Sequence, residues 1–108
     1  GEVYNIGSSK ELKNIDVVKK ICSFLDSVIP INKNKSYSEY ITFVKDRPGH
    51  DYRYAIDSRK IKERLGWEAK TSFNDGIEST IKWYLNNKYW VKKSTGKTFK
   101  DWIKIQYL

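Results

Sequence analysis

Ile41-Thr42-Phe43-Val44-Lys45-Asp46-Arg47-Pro48-Gly49-His50-Asp51 joins an apolar run to a turn dense in charge and backbone constraint. The run, counted from Tyr40 to Val44, concentrates β-branched and aromatic residues and predicts a strand. A turn at the end of such a strand lies where open α/β sheets place their ligands. Arg47 presents a planar fork of donors suited to two phosphate oxygens, which a lysine cannot match. Pro48 fixes one backbone torsion, and Gly49 permits a torsion or a close approach that a side chain would forbid. His50 is placed to donate to a phosphate or ribose oxygen, or to pair with Asp51 or Asp57, and Arg53 adds a second guanidinium. Residue chemistry alone leaves two readings open here, an anion-binding turn and a structural turn with a surface salt bridge.

Upstream, Glu2-Val3-Tyr4-Asn5-Ile6 reads as another strand, with Gly7-Ser8-Ser9 as its turn. Opening on a strand without a starter methionine suggests a cut upstream of residue 1. Asn14 is the expected N-cap of a helix reaching about Val28, with Asp16 in the first turn and Pro30 closing it. Val18, Ile21, Cys22, Leu25 and Val28 follow the spacing of one buried face. A polar loop, Ile31 to Glu39, leads to the strand before Arg47, so strand, helix and strand would make a right-handed crossover.

Downstream, Tyr52-Arg53-Tyr54-Ala55-Ile56 alternates like a short strand. Asp57 or Ser58 would cap a helix from Arg59 to Leu65, which Gly66 ends in the left-handed conformation. Ser72-Phe73-Asn74-Asp75 and Thr98-Phe99-Lys100-Asp101 each set an oxygen-bearing cap three residues ahead of an acid. The first opens a helix with Ile77, Ile81, Tyr84 and Leu85 on one stripe. The second opens a last helix carrying Trp102, Ile103 and Tyr107, with residues 86–97 as a basic, aromatic linker before it. The expected fold class is α/β, with few short strands and about four helices.

The 108 residues suffice for one domain or a part of a larger one, and 39% hydrophobic with 15% aromatic residues is too apolar for a disordered tail. A net charge of +8 favours an anionic partner or a soluble lysine-rich surface without choosing between them. Cys22 is the only cysteine, which excludes an intramolecular disulfide and fits a reducing, cytoplasmic setting. With one histidine besides, the chain cannot build a zinc site alone, and no metal is expected. It contains no apolar run long enough to span a membrane, so no membrane partner is expected.

Catalytic motifs are sparse. The sequence lacks both a Gly-x-Gly-x-x-Gly loop and a Gly-Lys-Ser/Thr loop, so its backbone amides have no usual route to a pyrophosphate. Tyr84–Lys88 and Tyr89–Lys93 match a Tyr-x-x-x-Lys pair, yet in a chain so rich in both residues such matches arise by chance. No catalytic residue is assigned. The stretch 88–108 sets Lys88, Lys92, Lys93, Lys97, Lys100 and Lys104 against Asp101 alone, interleaved with Tyr89, Trp90, Phe99 and Trp102. That pattern suits a nucleic-acid platform. It suits an ordinary core face with lysines in solvent better, so a small nucleic-acid-binding module stands only as an alternative, as does a structural fragment without ligand.

Several stretches together carry a family likeness: Gly1 to Gly7, Asn14 to Val18, Ile41 to Asp51, Arg53 to Asp57, Leu65-Gly66-Trp67, Phe73 to Ile77, and Trp83-Tyr84-Leu85. With them the chain resembles the C-terminal part of the dTDP-glucose 4,6-dehydratase family, extended short-chain dehydrogenase/reductases. The resemblance implies a nucleotide-sugar-binding region over residues 1–108, with the Rossmann domain absent. In the complete enzyme it implies NAD in an N-terminal Rossmann domain, dTDP-glucose as substrate and a homodimer, with no cofactor on this fragment. Carried over by motif, Arg47 would grip the diphosphate, His50 would lie beside it, Asn14 would contact the nucleoside end, and Tyr107 would close over the ligand. The implied cycle oxidises the glucose C4 hydroxyl, loses water from C5 and C6, and returns hydride to C6, giving dTDP-4-keto-6-deoxyglucose. The fragment alone would be inactive. Ser8 replaces a glycine usual in the family, Tyr52 stands where a further arginine is common, and the loop Asn32 to Ser36 is slightly long.

Overall fold

A computed structural model describes residues 1–8, 10–46, 48–50, 54–96, 99, 101 and 102. Helices dominate them: α1 (Asn14–Val28), a 3₁₀ turn (Tyr37–Tyr40), α2 (Arg59–Leu65), α3 (Phe73–Asn86) and α4 (Lys88–Ser94). Phe99, Asp101 and Trp102 are helical as well, and the rest of the expected last helix lies outside the described residues.

The α/β expectation is corrected on its β half. Among the described residues there is no strand, only an isolated antiparallel bridge between Asn32 and Lys35. Residues 2–6 and 41–44, and 54–56 of the third expected strand, stand outside helix and strand; Tyr52 and Arg53 lie outside the described residues. The crossover is therefore not formed. A β-prone run becomes a strand only when a neighbour takes up its backbone groups. Here, among the described residues, no backbone hydrogen bond joins the three segments to one another.

The helices follow their local signals more closely. α1 begins one residue earlier in its cap than expected: Lys13, with φ −70° and ψ 140°, occupies the N-cap without a side-chain hydrogen bond, and Asn14 is the first helical residue. Its other end behaves as Pro30 dictates, because the residue before a proline is pushed out of the α region, and Ile29 turns away at φ −141°. α3 starts at the predicted cap, where the Ser72 hydroxyl accepts from the Asp75 amide at 3.1 Å and donates to the Asp75 carboxylate at 2.6 Å. α4 fills most of the stretch read as a linker. Trp90 explains it: its ring packs edge-to-face on Trp83 of α3 at 5.0 Å, which gives the short helix a surface to rest on.

The 3₁₀ turn is a feature that the strand reading overlooked. Ser36-Tyr37-Ser38-Glu39 is a complete capping box, with the Glu39 carboxylate accepting from the Ser36 amide at 2.9 Å. Asp26 of α1 accepts from the Ser36 hydroxyl at 2.6 Å and from the Tyr37 amide at 2.8 Å. Tyr40 is thereby drawn into a helical turn rather than a strand.

Packing is thin. Cys22, Ile61 and Ile81 are the buried hydrophobic residues among those described, one each from α1, α2 and α3. Ile21 and Leu25 are half-buried, while Val18 and Val28, expected on the same buried face, are exposed. α3 and the 3₁₀ turn cover only part of α1. The Cα radius of gyration is 17.5 Å, against roughly 13 Å for a compact chain of this length.

Gly66 closes α2 as the sequence requires, at φ 65° and ψ 14° with its amide donating to the Lys62 carbonyl. A Cβ there would meet no atom within 4 Å, so the conformation alone opposes a side chain. We expect Gly66→Ala to destabilise the chain by about 1 kcal/mol. A denaturation midpoint equal to wild type would contradict this.

Candidate functional site

The turn that closes on His50 is organised by its own residues. Gly49 adopts φ 70°, with open space where a Cβ would be. That left-handed residue reverses the chain and brings His50 back over Asp46, whose Oδ1 lies 2.7 Å from His50 Nδ1. The His50 side chain is 31% exposed and that of Asp46 75%, so the ring is partly shielded while its acid faces solvent. Asp46 thus takes the place expected of Asp57 as a partner of the histidine, and Asp51 lies outside the described residues. Spacing already hinted at it, since residues four apart meet across a tight turn.

Asp57 is engaged elsewhere. It accepts from the Arg59 amide at 2.9 Å and from the guanidinium Nη2 at 2.6 Å. The Arg59 side-chain hydrogen bond, followed by the backbone one, lowers its carboxyl from 3.8 to about 2. Arg59 is raised in turn by the same hydrogen bond. A depressed carboxyl stabilises the folded chain above its unfolded pKa and loses that contribution as pH falls through about 2. Melting curves between pH 4 and pH 2 should therefore fall more steeply for wild type than for Asp57→Asn, by a small margin because the pair is solvent-exposed. Identical slopes would show the pair to be inert.

Of the four candidate ligand residues, His50 and Asn14 are described, and Arg47 and Tyr107 lie outside the described residues. Asn14 is exposed at the first position of α1. Among the described residues no hydrogen bond or ion pair links Asn14 to His50. Two concavities formed by described residues lie elsewhere. A groove of about 360 Å³ runs between α1 and α3, bounded by Lys20, Phe24, Asn74 and Glu78. Lys20 Nζ donates to Asn74 Oδ1 across it at 3.0 Å. A cleft of about 180 Å³ is lined by Gly7, Ser8, Ser58, Arg59 and Trp67 among others. Neither includes a candidate residue, and a polar groove bridged by its own lysine and asparagine is a poor ligand site. No cluster of metal-ligating side chains occurs among the described residues.

A residue that the sequence reading passed over ties the site's flanks together. Lys60 of α2 donates to the Val3 carbonyl at 3.0 Å, pairs with Glu2 at 3.2 Å and sits 4.9 Å from the centre of the Tyr4 ring. Gly7 packs against Ile56, where an added Cβ would stand 3.1 Å from Ile56 Cγ2. The first segment is thereby held beside residues 54–57, which follow the His50 turn.

Aromatic side chains of α3 and α4 pack on one another while staying partly exposed. Trp83, Tyr84 and Trp90 meet one another edge-to-face at 5.0 to 6.2 Å. Phe99 and Trp102, expected as a core face, stack on each other at 6.3 Å and remain 44% and 50% exposed. Among the described residues no helix is long and apolar enough to cross a membrane.

Comparison with known proteins adds what the geometry leaves open. The family model described as GDP-mannose 4,6 dehydratase matches residues 1–80. The chain is 52% identical over 107 residues to a dTDP-glucose 4,6-dehydratase of Shigella flexneri, covering 99% of this chain and 29% of that protein. It is 51% identical over the same length to dTDP-glucose 4,6-dehydratase 1 of Escherichia coli K12. A dTDP-glucose 4,6-dehydratase of Xanthomonas campestris is 49% identical over 85% of this chain and 26% of its own length. The chain spans a little under a third of the length of these relatives.

Proposed function

Because the chain belongs to the family described as GDP-mannose 4,6 dehydratase, we propose that it is the nucleotide-sugar-binding portion of a dTDP-glucose 4,6-dehydratase. The observation that carries this reading is the likeness itself: about half of the residues are identical to such dehydratases across 99% of the chain. The ligand is dTDP-glucose, and the reaction of the whole enzyme gives dTDP-4-keto-6-deoxyglucose and water.

Arg47 is the diphosphate grip, with its two-pronged donor set matched to adjacent phosphoryl oxygens. His50 stands beside it. With Nδ1 held by Asp46, Nε2 is the ring atom directed to a ligand oxygen. Asn14, exposed at the start of α1, takes the nucleoside end, and Tyr107 closes over the ligand. These residues bind at a distance from the reacting carbons, so they supply orientation and remote binding energy rather than the chemical step.

NAD is the cofactor of the complete enzyme. The sequence contains no glycine-rich dinucleotide loop. Hydride transfer therefore depends on the remaining polypeptide. The isolated chain is inactive as a dehydratase.

Calorimetry tests the reading. The chain assembled with the remaining part of the E. coli K12 relative should bind dTDP more tightly than the chain alone and should turn over dTDP-glucose. An assembled complex that binds neither dTDP nor dTDP-glucose would overturn it.

A further inference from the structure

The contact between His50 and Asp46 fixes more than the direction of a ring. His50 Nδ1 lies 2.7 Å from Asp46 Oδ1. The Asp46 side chain is 75% exposed, and a carboxylate in water is ionised at neutral pH. An ionised carboxylate only accepts, so the hydrogen of this bond belongs to Nδ1. A neutral imidazole has one N–H to give, and with Nδ1 using it, Nε2 is left as an acceptor. The phosphoryl oxygens of a diphosphate are acceptors too. Nε2 therefore hydrogen-bonds to one of them only when it also carries a proton, and a ring set between two anionic acceptors is an imidazolium.

The pair is formed locally. Gly49, at φ 70°, folds His50 back over Asp46 within four residues. Among the described residues, Asp46 is the charged group in contact with the ring, and Lys45 beside it in sequence is exposed. Arg47, Asp51 and Arg53, the other charged residues of this stretch, lie outside the described residues.

We infer that Asp46 is a positioning residue that couples diphosphate binding to proton uptake by His50: with its carboxylate on Nδ1, the ring donates to a phosphoryl oxygen through Nε2 as a cation. The inference rests on the reading proposed above. The proton comes from solvent and adds to Nε2, and no other covalent bond forms or breaks. A ligand that binds together with a proton binds less tightly as pH rises. The alternative partner of Nε2 is a hydroxyl of the ribose or the sugar. A neutral ring would accept from that hydroxyl, and binding would then take up no proton.

Calorimetry tests the coupling in the whole 108-residue chain assembled with the E. coli K12 relative from which the matched region has been removed. The probe is dTDP carrying a phenyl ester on its terminal phosphate, because a free terminal phosphate itself titrates near about pH 6. Titrations in buffers of differing ionisation enthalpy read the protons taken up per ligand. Between about pH 5 and pH 8, where histidine changes charge, wild type should take up a large fraction of one proton. Its affinity should fall by about threefold to tenfold per pH unit where uptake is largest. Asp46→Asn should lose most of the uptake and bind with a nearly flat pH profile. The amide is able to donate to Nδ1, so a neutral ring with its hydrogen on Nε2 serves the diphosphate. His50→Ala should lose the uptake and about tenfold in affinity. Binding that depends on His50 yet takes up no proton, or equal uptake in wild type and Asp46→Asn, would overturn the coupling and leave the ligand reading in place. Wild-type affinity in His50→Ala would remove the histidine from the ligand and the coupling with it. A complex that binds neither the probe nor dTDP would overturn the reading and the coupling together.

Discussion

Arg47→Ala should weaken dTDP binding about 100-fold in the chain assembled with the remaining part of a dehydratase, a loss of about 2.7 kcal/mol. The size follows from the chemistry of the pair. A guanidinium that donates to two phosphate oxygens makes charge-assisted hydrogen bonds of about 1.5–3 kcal/mol each, and its removal leaves a diphosphate charge without its partner. Arg47→Lys should recover only part of the affinity, because an ammonium replaces the fork with a point charge. His50→Ala is expected to cost less, since in the proposed site its ring lies beside the diphosphate rather than gripping it, and Nδ1 is bound to Asp46. Titration calorimetry of the three variants would rank them. Wild-type affinity in Arg47→Ala would remove the diphosphate role. In turnover, the loss should appear in kcat/KM for dTDP-glucose.

Ile81→Ala should cost about 2–5 kcal/mol of stability. Ile81 is 8% exposed in the middle of α3, and it shares the buried interior with only Cys22 and Ile61 among the described residues. A domain of this size commonly has about 5–15 kcal/mol in total, so such a loss is a large share of it. The variant should therefore be substantially unfolded under conditions where wild type is folded. Tyr89→Ala, at a residue 81% exposed, should stay within about 0.5 kcal/mol of wild type. Urea titrations followed by circular dichroism would separate the two. An Ile81→Ala midpoint equal to that of Tyr89→Ala would mean that the three buried residues do not hold the fold.

The helices were legible because their signals are local. The Ser72–Asp75 cap, the stop at Pro30 and the left-handed Gly66 each involve residues within one turn, and each is formed as read. The family likeness was legible for another reason: side chains kept at fixed spacing from Ile41 to Asp57 are themselves the evidence. The misreadings concern partners. Tyr40 to Val44 has the composition of a strand, but the Ser36–Glu39 capping box and Asp26 draw Tyr40 into a helical turn. The α4 stretch looks like a linker until Trp90 meets Trp83.

The His50 turn divides in the same way. Its sequence determined that a constrained, charge-dense turn follows an apolar run, and that Gly49 would permit a left-handed reversal. Local contacts, four and two residues apart, give the imidazole to Asp46 and Asp57 to Arg59. Tertiary structure decided that residues 2–6 and 54–56 lie together and stay exposed, with Lys60 as their anchor. Composition specifies which segments are able to pair, whereas pairing itself depends on a neighbour that satisfies both faces and the backbone between them.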